Sequence, residues 1–377
     1  MTGKILFVET EKQIKNFFFL TDINSTFELN PLFEKIIKYY NPAIVVRKEL
    51  IFKLKKYTSN VYNSIEIKEN SFVFDALFIP FKITDLKKEA LLENNGEIVG
   101  AFIKSGVINA PFDFEKYKNL DVKNVEGIYI DSFYELPYLI PEIVEMVLKF
   151  DKGFKKIKKN LYLKKGEIKK GVFIDTEEGP IIIEEIKSIL PPVTLKGPLY
   201  IGKDVHLNRS FIKNSFLKDV LRLGGEIDSS IFYGFSNKAH EGYVGHSVIG
   251  KWVNLGALTT TSDLKNTYSE IRVNIREDQK INTKKIKLGS FIGDHVQTGI
   301  GTLLSTGTVI MPFCNLYGGL NFKGFIKPFT WWGDDIRTEY NLQKAIEVAG
   351  KMMDRRNIKM EEEYVELIKN MYRKYRP

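Results

Sequence analysis

Largely apolar residues recur every six positions in two stretches of the chain. Ile183, Ile189, Leu195, Ile201 and Leu207 form one array; Ile286, Ile292, Thr298, Leu304 and Ile310 form the other. A period of six fits neither a helix nor a simple alternating strand. It predicts a parallel β-helix, in which each short strand turns one apolar side chain inward before the chain bends at a corner. A coil buries its inner face only against its neighbours, so several coils must stack. Between the arrays lies the stretch 224–268, where Gly follows an apolar residue at Val244-Gly245, Ile249-Gly250 and Leu255-Gly256. Glycine suits a corner because φ can be positive there or two chains can approach closely. A sandwich with closely spaced turns is the alternative, and two runs of five in register argue against it.

The pattern differs before residue 150. Residues 4–9, KILFVE, read as a buried strand, 31–40 as a helix with Pro near its start, and 43–46 as a second strand. Helical spacing returns over 47–54, and 72–78 reads as a strand. Residues 121–150 read as a strand, a Pro-punctuated turn and an amphipathic helix around 142–149. Alternating strands and helices predict an α/β layer fold with some parallel pairing. At the other end, Leu342, Ala345, Ile346, Ala349 and Met353, then Tyr364, Leu367, Ile368 and Met371, follow helical spacing. Two closing helices are expected to pack on the β-helix or on a neighbouring subunit.

Composition narrows the class. In 377 residues, 44% hydrophobic and 27% charged residues are ordinary for a soluble globular chain of two or three domains. A single cysteine, Cys314, excludes an intrachain disulfide and points to a reducing compartment. The first residues are too charged for a signal peptide and no apolar run is long enough to span a bilayer, so a cytoplasmic protein without membrane contact is expected. Much of the +9 net charge lies in 152–170, which reads as a solvated linker or as a patch attracting phosphates. No nucleic-acid-binding module accompanies it.

The stretches SNKAHEGYVGHS (236–247), WVNLGALTTTSDLKNTY (252–268), IGDHVQTGIGTLLSTGTV (292–309) and KPFTWWGDD (327–335) carry a resemblance. They resemble the acetyltransferase half of the bifunctional N-acetylglucosamine-1-phosphate uridylyltransferase/glucosamine-1-phosphate acetyltransferases, and still more a group of sugar-nucleotidyltransferase-like proteins related to them. The resemblance covers about residues 170–350. It implies an α/β nucleotidyltransferase-like domain over 1–165, a left-handed parallel β-helix of hexapeptide repeats over 171–335, and C-terminal helices over 336–377. The left hand comes from the resemblance; the spacing alone does not fix it. A homotrimer is implied as well.

The same resemblance implies acetyl transfer from acetyl-CoA to an amino-sugar phosphate, of the glucosamine-1-phosphate kind, in UDP-N-acetylglucosamine supply. That family carries a catalytic His, a Tyr three residues later and an Asn fourteen later. His240, Tyr243 and Asn254 keep those offsets, and Lys238 stands one place from the family's lysine. His240 is therefore the expected base, with Tyr243, Asn254 and Lys238 binding substrate. Lys265 lies in the loop that interrupts the repeat and can meet a coenzyme phosphate, or simply be solvated. His246 and His295 have no assigned role, and no close-spaced ligand pairs support a metal. One position departs from the family: twelve before His240, where a lysine binds the sugar phosphate, stands Asp228. Another cation, Arg222 or Arg209, must serve, or the acceptor is not a sugar phosphate.

Nucleotidyl transfer requires a Gly-rich loop to hold phosphates and a carboxylate for Mg2+. Here the first strand is followed by ETEKQIKNFFFLTDINSTFELN (9–30), with no glycine and no arginine, and Thr21-Asp22-Ile23-Asn24 stands where the related group has Arg-Pro. Asp75 and Asp131 are either metal ligands or turn residues. Mg2+ is expected only if this domain is active. The alternative function is a non-catalytic trimeric β-helix whose N-terminal domain binds a sugar nucleotide.

Overall fold

The computed structural model describes residues 4–22, 24–83, 86–334 and 336–376. Ile23 of the substituted Arg-Pro position and Asp335, the expected end of the β-helix, lie outside the described residues. The chain divides into two compact units, Met1–Phe133 and Tyr134–Pro377.

The first unit is an α/β layer built on a seven-stranded mixed sheet. Its strands run in the order Val122–Asn124, Ala90–Asn94, Glu97–Ile103, Ser71–Asp75, Lys4–Val8, Ala43–Val45 and Val61–Tyr62. Lys4–Val8 pairs in parallel with both Ser71–Asp75 and Ala43–Val45, and Leu6, Val8, Val45 and Val73 build one core. The predicted helix at 31–40 forms as Phe33–Tyr40, ended by Asn41 in the left-handed region at φ 46°. The strand expected over 72–78 breaks into Ser71–Asp75 and Phe78–Pro80. The break sits where the Asp75 carboxylate accepts the N–H of Leu77.

The second unit is a left-handed parallel β-helix closed by two helices. In its later coils residues eighteen apart stack: Ile292 on Ile310, Thr298 on Leu316 and Leu304 on Phe322. Apart from Thr298, these side chains share one continuous core with Ile183, Leu195, Ile201 and Leu207, and Ile189 packs against it. Ile286 is the exception. It is 52% exposed, because it lies in the return of the protruding loop rather than in a coil. The arrays break between Leu207 and Ile292 because the intervening coils are shorter. Asn237 stacks on Asn254 and Val248 on Ile231, each seventeen residues apart.

One corner is held by a column of buried serines. Ser215, Ser230 and Ser247 each donate the hydroxyl to the carbonyl two residues back. Each also accepts an N–H from the coil above, Ser230, Ser247 and Ser290 in turn. Buried corner amides thereby find partners without breaking the stack. The residue before each of the first three serines, Asn214, Ser229 and His246, has φ between 42° and 47°, in the left-handed region that turns the chain at the corner. The three corner glycines serve close approach rather than positive φ. A Cβ at Gly250 would fall 2.5 Å from an Asp294 carboxylate oxygen, and one at Gly256 2.5 Å from the Gly299 carbonyl.

The unit boundary at 133/134 falls earlier than the expected 165–171. Part of the lysine-rich segment is solenoid strand: Leu161–Leu163 pairs in parallel with Ile181–Ile183, and Lys155–Lys158 pairs with it antiparallel. Helix Ile140–Phe150 packs on Ile186–Ile201 and Val205–Leu217. At the far end Ile336–Glu339 folds back antiparallel on Thr330–Gly333. Helices Leu342–Asp354 and Glu362–Tyr375 follow, burying Ala345, Ala349 and Met353, then Tyr364, Leu367, Ile368 and Met371. No helix of the described residues is long and apolar enough to cross a membrane.

Candidate functional site

Each coil has three strand faces, and Lys238, Asn254 and Tyr243 distribute over two of them. Asn237–Lys238 and Asn254–Leu255 stack on the first face. Tyr243–Gly245 lies on the second, paired with Glu226, Ile227 and Asp228 of the coil below. His240 sits on the corner between them and is exposed. Among the described residues its imidazole makes no hydrogen bond or ion pair; its backbone carbonyl accepts from Lys238 Nζ at 2.5 Å.

Lys238 is the main correction. It is 1% exposed and occupies an inward position, in register with Leu223. Its Nζ donates to the carbonyls of Gly224, at 3.2 Å, and His240. Burial pushes the ammonium down to about 8, against the attraction of Glu241. The shift of one place relative to the family motif is what turns this side chain inward, since strand side chains alternate in direction. Lys238 therefore supports the His240 corner from inside the coil.

Asn254 also lies apart from Tyr243. Its carbonyl oxygen accepts from Asn237 at 3.3 Å, and Asn237 in turn accepts from Arg356 of the turn between the closing helices at 2.9 Å. Lys265 Nζ donates to the Glu270 carbonyl at 2.5 Å inside the protruding loop. Asp228 is paired with Lys213 at 3.1 Å, and Lys213 stands directly below it in the strand register. Of the two cations considered to replace the family lysine, Arg222 faces Asp204 at 3.6 Å and Arg209 is exposed. Lys213 lies nearest to that place, and spacing alone did not point to it.

What the fold brings together is Tyr243, Asp263 and His246. The Tyr243 hydroxyl donates to Asp263 Oδ2 at 2.8 Å, and His246 Nδ1 lies 2.7 Å from the same oxygen. Tyr243 lies across Gly245, where a Cβ would fall 2.1 Å from the phenol oxygen. Burial, then the Asp263 charge and hydrogen bond, raise the Tyr243 phenol far above its ordinary value. For Asp263 burial pushes upward, but the hydrogen bonds from His246 and Tyr243 outweigh it and hold the carboxyl below its ordinary value. The other two histidines are engaged elsewhere. His206 bridges Ser188 and Asp204, and buried His295 bonds the Tyr364 hydroxyl and stacks on Phe313.

In the first unit the strand order reverses at Lys4–Val8, and the crevice beyond the carboxyl end of such a strand is where open α/β sheets take ligands. Here the crevice holds Glu9, fully buried. Its carboxylate accepts from the Thr26 N–H at 2.9 Å and from the Arg47 N–H and Nε at 2.9 and 3.2 Å. The segment expected to lack a phosphate loop forms short helices, Glu11–Asn16, Phe18–Thr21 and Thr26–Leu29. Buried Asp75 accepts from Thr10 and Leu77, and burial pushes its carboxyl up to about 6. Asp131 pairs with Lys12 at 2.8 Å. Among the described residues no three His, Cys, Asp or Glu side chains gather as a metal site would require.

No family model matches the chain. A bifunctional sugar-1-phosphate nucleotidylyltransferase/acetyltransferase of Sulfurisphaera tokodaii is 37% identical over 94 residues, 25% of this chain and 23% of that protein. The bifunctional protein GlmU of Methanococcus aeolicus is 32% identical over 150 residues, 39% of this chain and 35% of that one. GlmU of Methanocaldococcus jannaschii is 29% identical over 163 residues, 40% and 36% of the two chains. The chain is related to the GlmU family. It spans about a quarter to just over a third of the length of these curated relatives. A Bacillus cereus N-acyltransferase, AntD, solved with dTDP-4-amino-4,6-dideoxyglucose and coenzyme A, aligns over 56% of this chain and 96% of its own. It does so at a TM-score of 0.24 and 14% identity, and nothing about this chain follows from that score.

Proposed function

We propose that the chain is a cytoplasmic, trimeric acetyl-CoA-dependent N-acetyltransferase acting on an amino-sugar phosphate, with glucosamine-1-phosphate the first candidate. Its product would feed UDP-N-acetylglucosamine and related sugar nucleotides. The observation that carries this reading is the solenoid corner where His240 stands exposed, three residues before Tyr243, in a chain related to bifunctional nucleotidyltransferase/acetyltransferases. An imidazole with no internal partner has its lone pair free for the proton of an attacking amine. Asn254 and Lys265, which face other directions than Tyr243, would complete the acceptor and coenzyme sites across a subunit boundary, as closed rings of like subunits allow. Lys238 enters this scheme as the support of the corner.

The first unit would contribute no nucleotidyl transfer, because the Glu9 carboxylate already occupies the donors a phosphate would need. That same observation favours the second reading, a non-catalytic assembly. Coenzyme A separates the two. Calorimetry of the full chain with acetyl-CoA should give saturable binding under the first reading; no heat at millimolar acetyl-CoA would leave the assembly reading.

A further inference from the structure

On the first strand face Ser188, His206, Arg222, Asn237 and Asn254 stand in register on successive coils. Arg356, from the turn between the closing helices, reaches this column and donates from Nη2 to Asn237 Oδ1 at 2.9 Å. Two arginines far apart in sequence are thereby held within range of each other's charge. Burial, then the positive charges of Arg222 and Arg355, push the Arg356 guanidinium below its ordinary value, and Asp204 pulls the other way. Like charges gathered in this way attract an anion.

Asp204 balances only part of that charge. Its carboxylate accepts from His206 Nε2 at 3.1 Å and lies 3.6 Å from Arg222 Nη2, too long for a hydrogen bond. A carboxylate only accepts, so the neutral imidazole carries its proton on Nε2, and Nδ1 accepts from the Ser188 hydroxyl at 2.6 Å. Burial, then Arg222, hold His206 below its ordinary value, so it adds little charge at neutral pH. Arg222, Arg355 and Arg356 against the single charge of Asp204 leave a surplus of two positive charges.

Free donors accompany the charge. Arg222 Nη1 donates to the Asp204 and Leu221 carbonyls, at 3.0 and 3.1 Å, which fixes the fork. Among the described residues its Nε and Nη2 make no hydrogen bond. Arg356 Nε is buried and has no acceptor. A buried donor without a partner is uncommon in folded proteins and marks a place that an ion or water fills. The Arg222 and Asp204 side chains stay 25% and 40% exposed, so a solute can reach them.

We propose that Arg222, Arg356 and Asn237 form a binding site for a phosphate monoester. Planar guanidinium forks match phosphate oxygens, and a dianion balances the surplus charge where a carboxylate would not. The site is separate from the place of the family lysine, which falls on the second face at Asp228, beside Lys213. Asn237 precedes His240 by three residues, and both a sugar phosphate and the 3′-phosphate of coenzyme A carry the required group.

The test is calorimetric titration of the full chain with inorganic phosphate, for wild type, Arg356→Gln, Arg222→Gln and Arg373→Gln. Arg373 is exposed on the last helix and controls for net charge. Wild type and Arg373→Gln should bind phosphate saturably; Arg356→Gln and Arg222→Gln should each weaken binding at least tenfold with urea midpoints that show the fold kept. No saturable binding by wild type at millimolar phosphate, or an equal loss in all three variants, overturns the site. The arginine Nε–H signals of wild type give a check that needs no variant: phosphate should shift two of them along with the heat, and a titration that shifts none overturns the site. Glucosamine-1-phosphate against glucosamine, and coenzyme A against dephospho-coenzyme A, then assign the source. The pair in which the phosphate raises affinity tenfold or more, with that gain lost in Arg356→Gln, identifies the ligand. A gain absent from both pairs, or kept in Arg356→Gln, overturns the proposal and leaves an adventitious ion only. Binding alone decides this, so a failure of acetyl transfer would leave the site standing.

Discussion

Lys238→Met isolates the energetics of a charge placed inside the solenoid. Lys238 continues the inward column of Leu207 and Leu223, and its Nζ donates to the Gly224 and His240 carbonyls. Its folded-state pKa of about 8 lies below the ordinary 10.5. Protonated Lys238 therefore costs the fold stability at pH 7, and that cost fades as pH rises from about 8 toward 10.5. Worked through linkage, wild type should gain about 2 kcal/mol from this residue between pH 7 and pH 9.5. Methionine fits the column in volume but leaves both carbonyls without a donor, at about 1–3 kcal/mol per buried group. That cost is the same at both pH values, so the change in the wild-type-minus-variant difference reports the charge alone. The three tryptophans, Trp252, Trp331 and Trp332, all lie in the second unit, so fluorescence in urea titrations follows the solenoid. A difference that stays constant within about 0.5 kcal/mol between the two pH values would refute the reasoning; it would mean that the ammonium is not penalised by its burial.

Three further outcomes follow from the same structure. Glu9→Ala removes the acceptor of the Thr26 and Arg47 backbone N–H groups and the partner of the half-buried Arg47 guanidinium, which keeps the Thr21 and Asn24 carbonyls; it should destabilise the first unit by about 1–3 kcal/mol in chemical denaturation, and an unchanged midpoint would show that water replaces the carboxylate. Pyrophosphate release from UTP or dTTP with hexose-1-phosphates and Mg2+ should stay at background, and sustained release would mean that Glu9 moves aside for a phosphate. Light scattering at micromolar concentration should give a trimer, and a monomer would remove the shared-site arrangement of Asn254 and Lys265.

The repeat was legible because burial writes a six-residue period directly into the sequence, and Ile292, Thr298, Leu304 and Ile310 all point inward as that period requires. Ile286 kept the period by coincidence: nothing in one sequence distinguishes a coil position from a loop that returns in phase. The His246–Asp263 pair was not legible for a related reason. The residues are seventeen apart, which is one coil only where coils are short, and the arrays on either side gave eighteen. The inward placement of Lys238 follows from a one-residue shift against the family offset, because in a strand one residue reverses the side chain. In the first unit the missing glycines were visible in residues 9–30. That a carboxylate from the same segment fills the crevice depends on Thr26 folding back onto it and on Arg47 arriving from outside the segment.

The central claim, acetyl transfer at the His240 corner, is tested most directly by acetyl-CoA-dependent thiol release with glucosamine-1-phosphate at pH 8, comparing wild type with His240→Ala. The account predicts turnover in wild type and a loss on the order of 10² to 10⁴ in the variant, with acetyl-CoA binding and the oligomer unchanged. Equal turnover in the two proteins would contradict it, leaving His240 a corner residue and the chemistry elsewhere.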